Sequence, residues 1–69
     1  MYKELEAEIV RKGLSKRKVS DMTGIRYETL LVKLSGKFSF TLDEAFKIKM
    51  AIESDKPIEV LFFKSKYEI

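Results

Sequence analysis

The sequence predicts an all-α fold of five short helices, and three observations lead to that expectation. Three glycines and one proline divide the 69 residues into helix-length segments. Within these segments apolar residues recur at the three- and four-residue spacing of a helix face, and no run alternates in the manner of a strand. Residues typical of helix starts and ends stand at the segment boundaries. A chain of this length has room for one core, so residues 1–69 are expected to form one domain.

The first helix is expected from about Tyr2 to Lys12. Leu5 and Ile9 lie one turn apart and would share the face that packs on the core. Gly13 follows, and glycine adopts the left-handed conformation that commonly ends a helix. Leu14 is then expected to turn inward.

The second helix is expected from Lys16 to Thr23. Ser15 precedes it, and a serine hydroxyl accepts a hydrogen bond from an amide of the first turn, which otherwise has no partner. Val19 and Met22 are expected to form its buried face. Gly24 ends the helix and permits a tight turn.

The third helix is expected from Tyr27 to Leu34. Ile25 would place an apolar side chain under the preceding turn, and Leu30 lies one helical turn before Leu34 on the buried side. Gly36 closes the segment.

The fourth helix is expected to begin after Thr41, because a threonine followed three residues later by Glu44 forms the capping-box pattern. This helix should end near Glu53. Its apolar stripe is wide and comprises Leu42, Ala45, Phe46, Ile48 and Ile52. A last short helix is expected over about Pro57 to Phe63, since proline suits a first helical position.

The positive charge of the chain is concentrated in its middle. The net charge is +3, but residues 15–37 hold six basic against two acidic side chains, a local charge of +4. Such a segment attracts a polyanion. A solvated helix face would give the same composition, so charge alone leaves both interpretations open.

The second and third helices have the layout of a helix-turn-helix over about 16–36. A small residue, Ser20, suits a close helix crossing, and Gly24 suits the turn. The pattern resembles the Xre family of phage-repressor-like helix-turn-helix domains over nearly the whole chain. The segments that carry the resemblance are Arg11-Lys12-Gly13-Leu14-Ser15, Gly24-Ile25, Lys33-Leu34-Ser35-Gly36-Lys37, Phe40-Thr41-Leu42-Asp43-Glu44-Ala45, and Pro57-Ile58-Glu59 followed by Leu61-Phe62.

This resemblance implies a lambda-repressor-like fold whose third helix lies in the major groove of double-stranded DNA, as in a repressor-like transcriptional regulator. The side chains it would direct at base edges are Tyr27, Glu28, Leu31 and Val32. The residues it would direct at phosphates are Lys16, Arg17, Arg26, Lys33, Ser35 and Lys37. For single residues a simpler role stays open, since Tyr27 could cover a helix end and the lysines could be solvated.

The sequence departs from the family pattern at four positions. Leu31 and Val32 stand where polar residues are common, Arg26 stands where serine is common before the third helix, and Thr23 replaces an apolar residue. An apolar recognition surface suits protein as well as DNA. The alternative function is therefore a helix-turn-helix domain that serves as a protein-interaction module with weak or no DNA binding.

A homodimer through the last helix is also expected from the sequence. Val60, Phe63 and Tyr67 are spaced so that they share one face outside the core positions. Two copies joined there would place their recognition helices about 34 Å apart on a palindromic site. The other possibility is that Phe63 folds back onto its own domain.

Enzymatic function is not expected, because the chain has no histidine, no cysteine and no glycine-rich phosphate loop. The sequence likewise indicates no cofactor, no metal site and no small-molecule substrate. The start at Met1 lacks a secretory apolar segment, and no stretch is long enough to span a membrane. The expected location is the cytoplasm of a bacterial or phage-infected cell, at the nucleoid.

Overall fold

The structure is a computed structural model that describes residues 2–63, and within that range it contains five helices and no strand. The all-α expectation is confirmed. The helices are α1 (Lys3–Arg11), α2 (Lys16–Thr23), α3 (Tyr27–Leu34), α4 (Leu42–Ile52) and α5 (Ile58–Leu61).

Local hydrogen bonds set the boundaries of α2 and α4. The Ser15 hydroxyl accepts from the backbone N–H of Lys18 at 3.0 Å, and Gly24 ends α2 with φ of 79°. At α4 the Thr41 hydroxyl accepts from the Glu44 N–H at 3.1 Å, and the Glu44 carboxylate accepts from the Thr41 N–H at 2.9 Å. These caps use amides that the first turn leaves without helical partners. The predicted bounds of α2 and α3 and the predicted start of α4 are confirmed.

The core lies between α2 and the helices around it. α2 packs on α3 and α4, while α5 packs on α4 and α1. The fully buried large apolar side chains are Leu5, Val19, Leu30, Leu34, Ile48, Ile52 and Leu61. Leu14 and Ile25 pack against this cluster from the two turns, as expected. Burial of each large side chain contributes roughly 1.5–3 kcal/mol, so the core dominates the stability of the fold.

Three aromatic rings close the bundle at the end where α5 lies. The ring centroid of Phe40 is 5.2 Å from those of both Tyr2 and Phe62, and Tyr2 is 6.1 Å from Phe62. All three pairs meet edge to face, the arrangement that the ring quadrupoles favour. The cluster joins the start of the chain, the loop before α4 and the end of α5.

Three side chains that were expected to be buried are exposed. Met22 is 47% exposed, Leu42 66% and Phe46 48%. The apolar stripe of α4 is wider than the surface that the core covers, so Ala45, Ile48 and Ile52 occupy the inner side and the other members remain outside. On α2 the inner side is taken by Val19 and Ser20 instead.

The last helix is shorter than predicted. It spans Ile58–Leu61 rather than Pro57 to Phe63, and Pro57 precedes it as the N-cap with ψ of 154°. The Pro57 carbonyl accepts from the N–H of Leu61 at 2.9 Å, which closes the single turn. α1 is also shorter by one residue at each end than the sequence indicated.

A buried carboxylate, that of Glu8, connects α1 to the segment after α4. The Ser54 hydroxyl donates to Glu8 Oε2 at 2.8 Å, and the Arg11 guanidinium pairs with the other oxygen. The hydrogen bond from Ser54 is the main cause that lowers the pKa of Glu8; it outweighs the opposing effect of burial, and Arg11 adds to it. The sequence did not indicate a role for Glu8, because its partner Ser54 is 46 residues away along the chain.

Candidate nucleic-acid interface

The starts of α2 and α3 meet at one exposed surface. The Arg17 guanidinium carbon lies 4.1 Å from the centre of the Tyr27 ring, so the cation stacks on the aromatic face. Tyr27 is half-buried beneath it. This contact aligns the first turns of the two helices and keeps a positive charge at the point where they converge.

The turn between α2 and α3 is held by side chains of α2. Gly24 is left-handed, and the buried Ser20 hydroxyl donates to the carbonyl of Ile25. The Thr23 hydroxyl donates to the Val19 carbonyl at 2.8 Å and accepts from the Ile25 N–H at 3.3 Å. Thr23 stands where the resemblance predicted an apolar residue, and it supplies a hydrogen bond to the turn that an apolar residue would not supply. The direction in which α3 leaves the turn is fixed by these bonds.

The residues expected at base edges do not all lie in the same environment. Glu28 is exposed and Val32 is 36% exposed one turn further along α3, so both reach solvent from the same side of the helix. Leu31 and Tyr27 are half-buried. The outward side of α3 therefore carries Glu28 and Val32, with Tyr27 at its edge under Arg17.

An apolar groove of about 240 Å³ lies beside Glu28 and Val32. Thr29, Lys33 and Phe38 also line it, and 63% of the Phe38 surface is exposed. Phe38 was not among the expected site residues, because it falls in the loop after α3 with no helical periodicity to place it. Its exposure next to Val32 extends the apolar part of this surface beyond the helix.

Four basic side chains of the middle segment are exposed: Arg17, Lys18, Arg26 and Lys37. No carboxylate among residues 2–63 lies within salt-bridge distance of any of them. Lys16 is half-buried and its Nζ lies 3.8 Å from Glu6 Oε1. The sequence analysis counted Lys18 in the basic segment but did not assign it to a phosphate. Lys18 is as accessible to a phosphate as Arg17, since both side chains are exposed.

Lys33 is held within the domain. Its Nζ donates to both carboxylate oxygens of Glu44, at 2.6 and 2.8 Å, and only 17% and 21% of the two side chains is exposed. Partial burial would raise the pKa of Glu44, but the hydrogen bonds from Lys33 and Thr41 outweigh it and hold that pKa below its usual range. The pair fastens the end of α3 to the start of α4, so the charge of Lys33 is largely neutralised.

Ser35 and Lys37 belong to the turn that ends α3. The Ser35 hydroxyl donates to the carbonyl of Val32 and accepts from the Lys37 N–H at 3.4 Å. Gly36 between them has φ of 91°. The Ser35 hydroxyl is therefore engaged in the turn, although the residue is exposed, and the turn directs the Lys37 side chain to solvent.

A second groove, of about 390 Å³, lies between α1 and the stacked Arg17 and Tyr27. Val10 of α1 borders it and is 74% exposed. Glu6 contributes the only acid at its rim among the described residues, next to Lys16. The sequence did not place α1 beside the candidate interface.

The residues expected to form a dimer through the last helix are exposed where they are described. Val60 is 41% exposed and Phe63 is 66% exposed. Phe63 therefore does not fold back into the core. Tyr67 lies outside the described residues, and the dimer itself stays a prediction.

Two further observations bear on the kind of site that the chain contains. No helix of the part that the structure describes has the length and apolar character to cross a bilayer. Over residues 2–63 the acidic side chains form no group of three that could hold a metal ion. Comparison of the chain with known protein families, curated proteins and solved structures finds no match.

Proposed function

We propose that this chain binds double-stranded DNA as a repressor-like regulator, through the surface formed by the starts of α2 and α3 and the end of α3. One observation carries the proposal: Arg17, Lys18, Arg26 and Lys37 are exposed around these helices without carboxylate partners among residues 2–63. Unpaired surface cations release counterions from DNA when they approach its phosphates, which is the main source of affinity for a duplex.

The proposed geometry assigns separate tasks to the two helices. α3 would lie in the major groove with Glu28 and Val32 toward the bases, since a carboxylate accepts from the cytosine amino group and an apolar side chain contacts the thymine methyl. Three basic side chains at one end, Arg17, Lys18 and Arg26, and Lys37 at the other would contact phosphates on either side. Lys33 is left out of this interface, because Glu44 already holds its ammonium.

The hydrogen bonds at the turn support the rigidity that recognition of a DNA groove requires. Ser20 and Thr23 hydrogen-bond the turn residue Ile25 from α2, so the two helices are joined as one unit. The Tyr27 ring supports the Arg17 guanidinium at 4.1 Å and limits its rotamers. A cation held in position loses less conformational entropy when it binds a phosphate.

A salt titration of duplex binding tests the proposal. With four exposed cations engaged, the logarithm of the affinity should fall with the logarithm of salt concentration with a slope of about −3 to −4. Arg17→Ala or Lys37→Ala should each reduce the magnitude of that slope by about 1 and weaken all duplexes alike. The matched control is Lys47→Ala, because Lys47 is also an exposed cation but lies on α4 and pairs with Asp43.

The outcomes separate cleanly. The proposed surface is supported if the salt dependence of the affinity becomes shallower in the two interface variants and is unchanged in the control. Equal effects of all three variants would reduce the binding to general attraction by net charge, and no binding at low salt would refute it.

Sequence preference has its own test. A selection from randomised duplexes should yield a consensus for the unaltered chain, and Glu28→Ala should relax the preference at the base pair it reads by about 1–3 kcal/mol. Thr29→Ala is the neighbouring control, since Thr29 is half-buried in α3. A consensus that is the same for both variants would exclude Glu28 from base recognition.

A second candidate function is a protein-interaction module, and the exposed Phe38 favours it. Phe38 and Val32 border an apolar groove, and among residues 2–63 its charged lining residues are Glu28 and Lys33. A partner helix with an apolar face would fit such a groove. In that case Phe38→Asp should abolish binding of the partner, while the affinity should respond little to salt.

A further inference from the structure

One acidic side chain stands among the cations of the surface that the proposed function assigns to DNA. Glu28 is the only acid between Asp21 and Asp43 in the sequence, and it is exposed. No cation of residues 2–63 lies within salt-bridge distance of its carboxylate, and Lys33 of the same helix is held by Glu44 instead. A carboxylate is repelled by DNA phosphates. Its place on this surface is therefore explained only if it makes a specific contact that offsets the repulsion.

The surface directly beside this carboxylate is apolar. Glu28 lines the groove of about 240 Å³ together with Val32 and Phe38, which we call the Glu28 groove. Val32 lies one helical turn after Glu28 on the same side of α3, and Phe38 is 63% exposed. The outward side of α3 thus places a hydrogen-bond acceptor next to an uncovered apolar surface.

Among the four bases, cytosine has the edge that matches this combination. In the major groove it presents the N4 amino group, a donor, and the neighbouring C5 position of its ring carries no polar atom. Adenine also presents an amino group, but the N7 acceptor lies beside it. Guanine and thymine present acceptors, which a carboxylate repels. An acceptor beside an apolar groove therefore fits cytosine, and the C5 position is the one that faces the apolar side.

We infer that the Glu28 groove recognises 5-methylcytosine in duplex DNA. The Glu28 carboxylate accepts a hydrogen bond from the N4 amino group, and the C5-methyl group lies against Val32 and Phe38. The inference rests on the proposed function, in which α3 lies in the major groove. Cytosine without the methyl group leaves this apolar surface in water, whereas the methyl group covers it. Methylation of a site should therefore strengthen binding to that site.

Thymine is the other source of a C5-methyl group in DNA. At the same position it would place its O4 acceptor against the Glu28 carboxylate, so the two contacts cannot form together on thymine. A thymine in the next base pair could still bring its methyl group to Val32. The experiment therefore varies the recognised base and its neighbour separately.

Binding of matched duplexes tests the inference. Selection from randomised duplexes, one library with cytosine and one with 5-methylcytosine in its place, gives the site, and the recognised cytosine is the one at which Glu28→Ala relaxes the preference. Burial of one methyl group should make 5-methylcytosine bind about fourfold more tightly than cytosine at that position. Thymine there should bind about tenfold more weakly than cytosine. Fluorescence anisotropy measures each affinity at one fixed salt concentration.

Two variants separate the two contacts. Phe38→Ser should remove most of the preference for the methyl group and keep the preference for cytosine over thymine. Glu28→Gln should do the reverse, because a carboxamide also offers a donor to thymine O4. The matched control is Phe46→Ser, since Phe46 is an exposed phenylalanine of α4 that does not line the groove, and it should leave both preferences unchanged. Circular dichroism checks that each variant keeps its helices.

The outcomes distinguish this inference from the proposed function. Equal affinity for cytosine and 5-methylcytosine, with the salt dependence expected of the proposed surface, would overturn the inference and leave the proposed function standing. A site without cytosine, or a methyl preference that Phe38→Ser leaves intact, would overturn it as well. So would a site that requires thymine in the next base pair and does not respond to methylation. Absence of binding to every duplex at low salt would refute the proposed function and this inference together.

Discussion

The pair of Lys33 and Glu44 gives the sharpest prediction, because sequence and structure assign Lys33 different roles. We expect Lys33→Met to destabilise the fold and to leave DNA binding nearly intact. Removing one member of a fully buried pair costs about 3–5 kcal/mol, and an exposed pair contributes about 0–1 kcal/mol. The two side chains retain 17% and 21% of their exposure, which puts the loss at about 1–2 kcal/mol. The midpoint of thermal unfolding should fall by about 5–15 °C.

Two assays on the same protein decide between the roles. Urea unfolding should give the loss of stability, and the salt titration of duplex binding should give an unchanged slope. If Lys33 neutralised a phosphate, the slope would instead shrink by about 0.9. Lys37→Met is the control with the opposite expectation, since Lys37 is exposed near the same helix end. Unchanged stability together with a shallower slope for Lys33→Met would refute the structural role.

The same pair predicts a dependence on pH. The pKa of Glu44 is held below its usual range in the folded chain, so its contribution to stability is fully present above the pKa of the unfolded state. The contribution is lost as the pH falls through the folded-state value. Lys33→Met should reduce this acid-induced loss, because it removes a main cause that lowers the pKa. An identical pH profile for both proteins would contradict this account.

The remaining predictions concern the turn and the buried carboxylate. Gly24→Ala should cost about 1–2 kcal/mol in urea unfolding, because φ is 79°. Apart from Gly24 and its two chain neighbours, no heavy atom of the described residues lies within 4 Å of the added Cβ, so the cost is backbone strain. An unchanged midpoint would show that the turn relaxes. Ser54→Ala should raise the pKa of Glu8 in an NMR titration and weaken the fold most at neutral pH, where the carboxylate is charged. Ser39→Ala is its control, because Ser39 is an exposed serine in the loop between α3 and α4. An unchanged pKa of Glu8 in Ser54→Ala would exclude Ser54 as the main cause.

Much of the fold could be predicted because helix boundaries depend on neighbouring residues. Ser15, Gly24 and the Thr41–Glu44 box act within four residues of the helix ends they define. Their effect can therefore be predicted from the sequence, and the approximate bounds expected for α2 and α3 agree with the structure. The last helix was less predictable, because its single turn depends on packing against α4 and α1 rather than on caps.

The candidate site was predictable in part. The exposure of Arg17 and Glu28 follows from their positions on short amphipathic helices, and that of Arg26 from its place in the turn before α3. The DNA-binding role of these residues and the likeness to a helix-turn-helix family stay predictions. The stacking of Arg17 on Tyr27 joins two helices across a turn, and helical periodicity alone does not place such a contact.

The sequence by itself determined where the first four helices lie, that glycines stand at three of the turns and where the positive charge is concentrated. Tertiary structure alone decided which members of an apolar stripe are covered, so Ile48 is buried and Phe46 is not. It also decided that Lys33 meets Glu44 and that Glu8 meets Ser54. The physical reason is range: backbone capping acts between residues a turn apart, whereas burial and ion pairing depend on which distant surfaces the packed helices bring together.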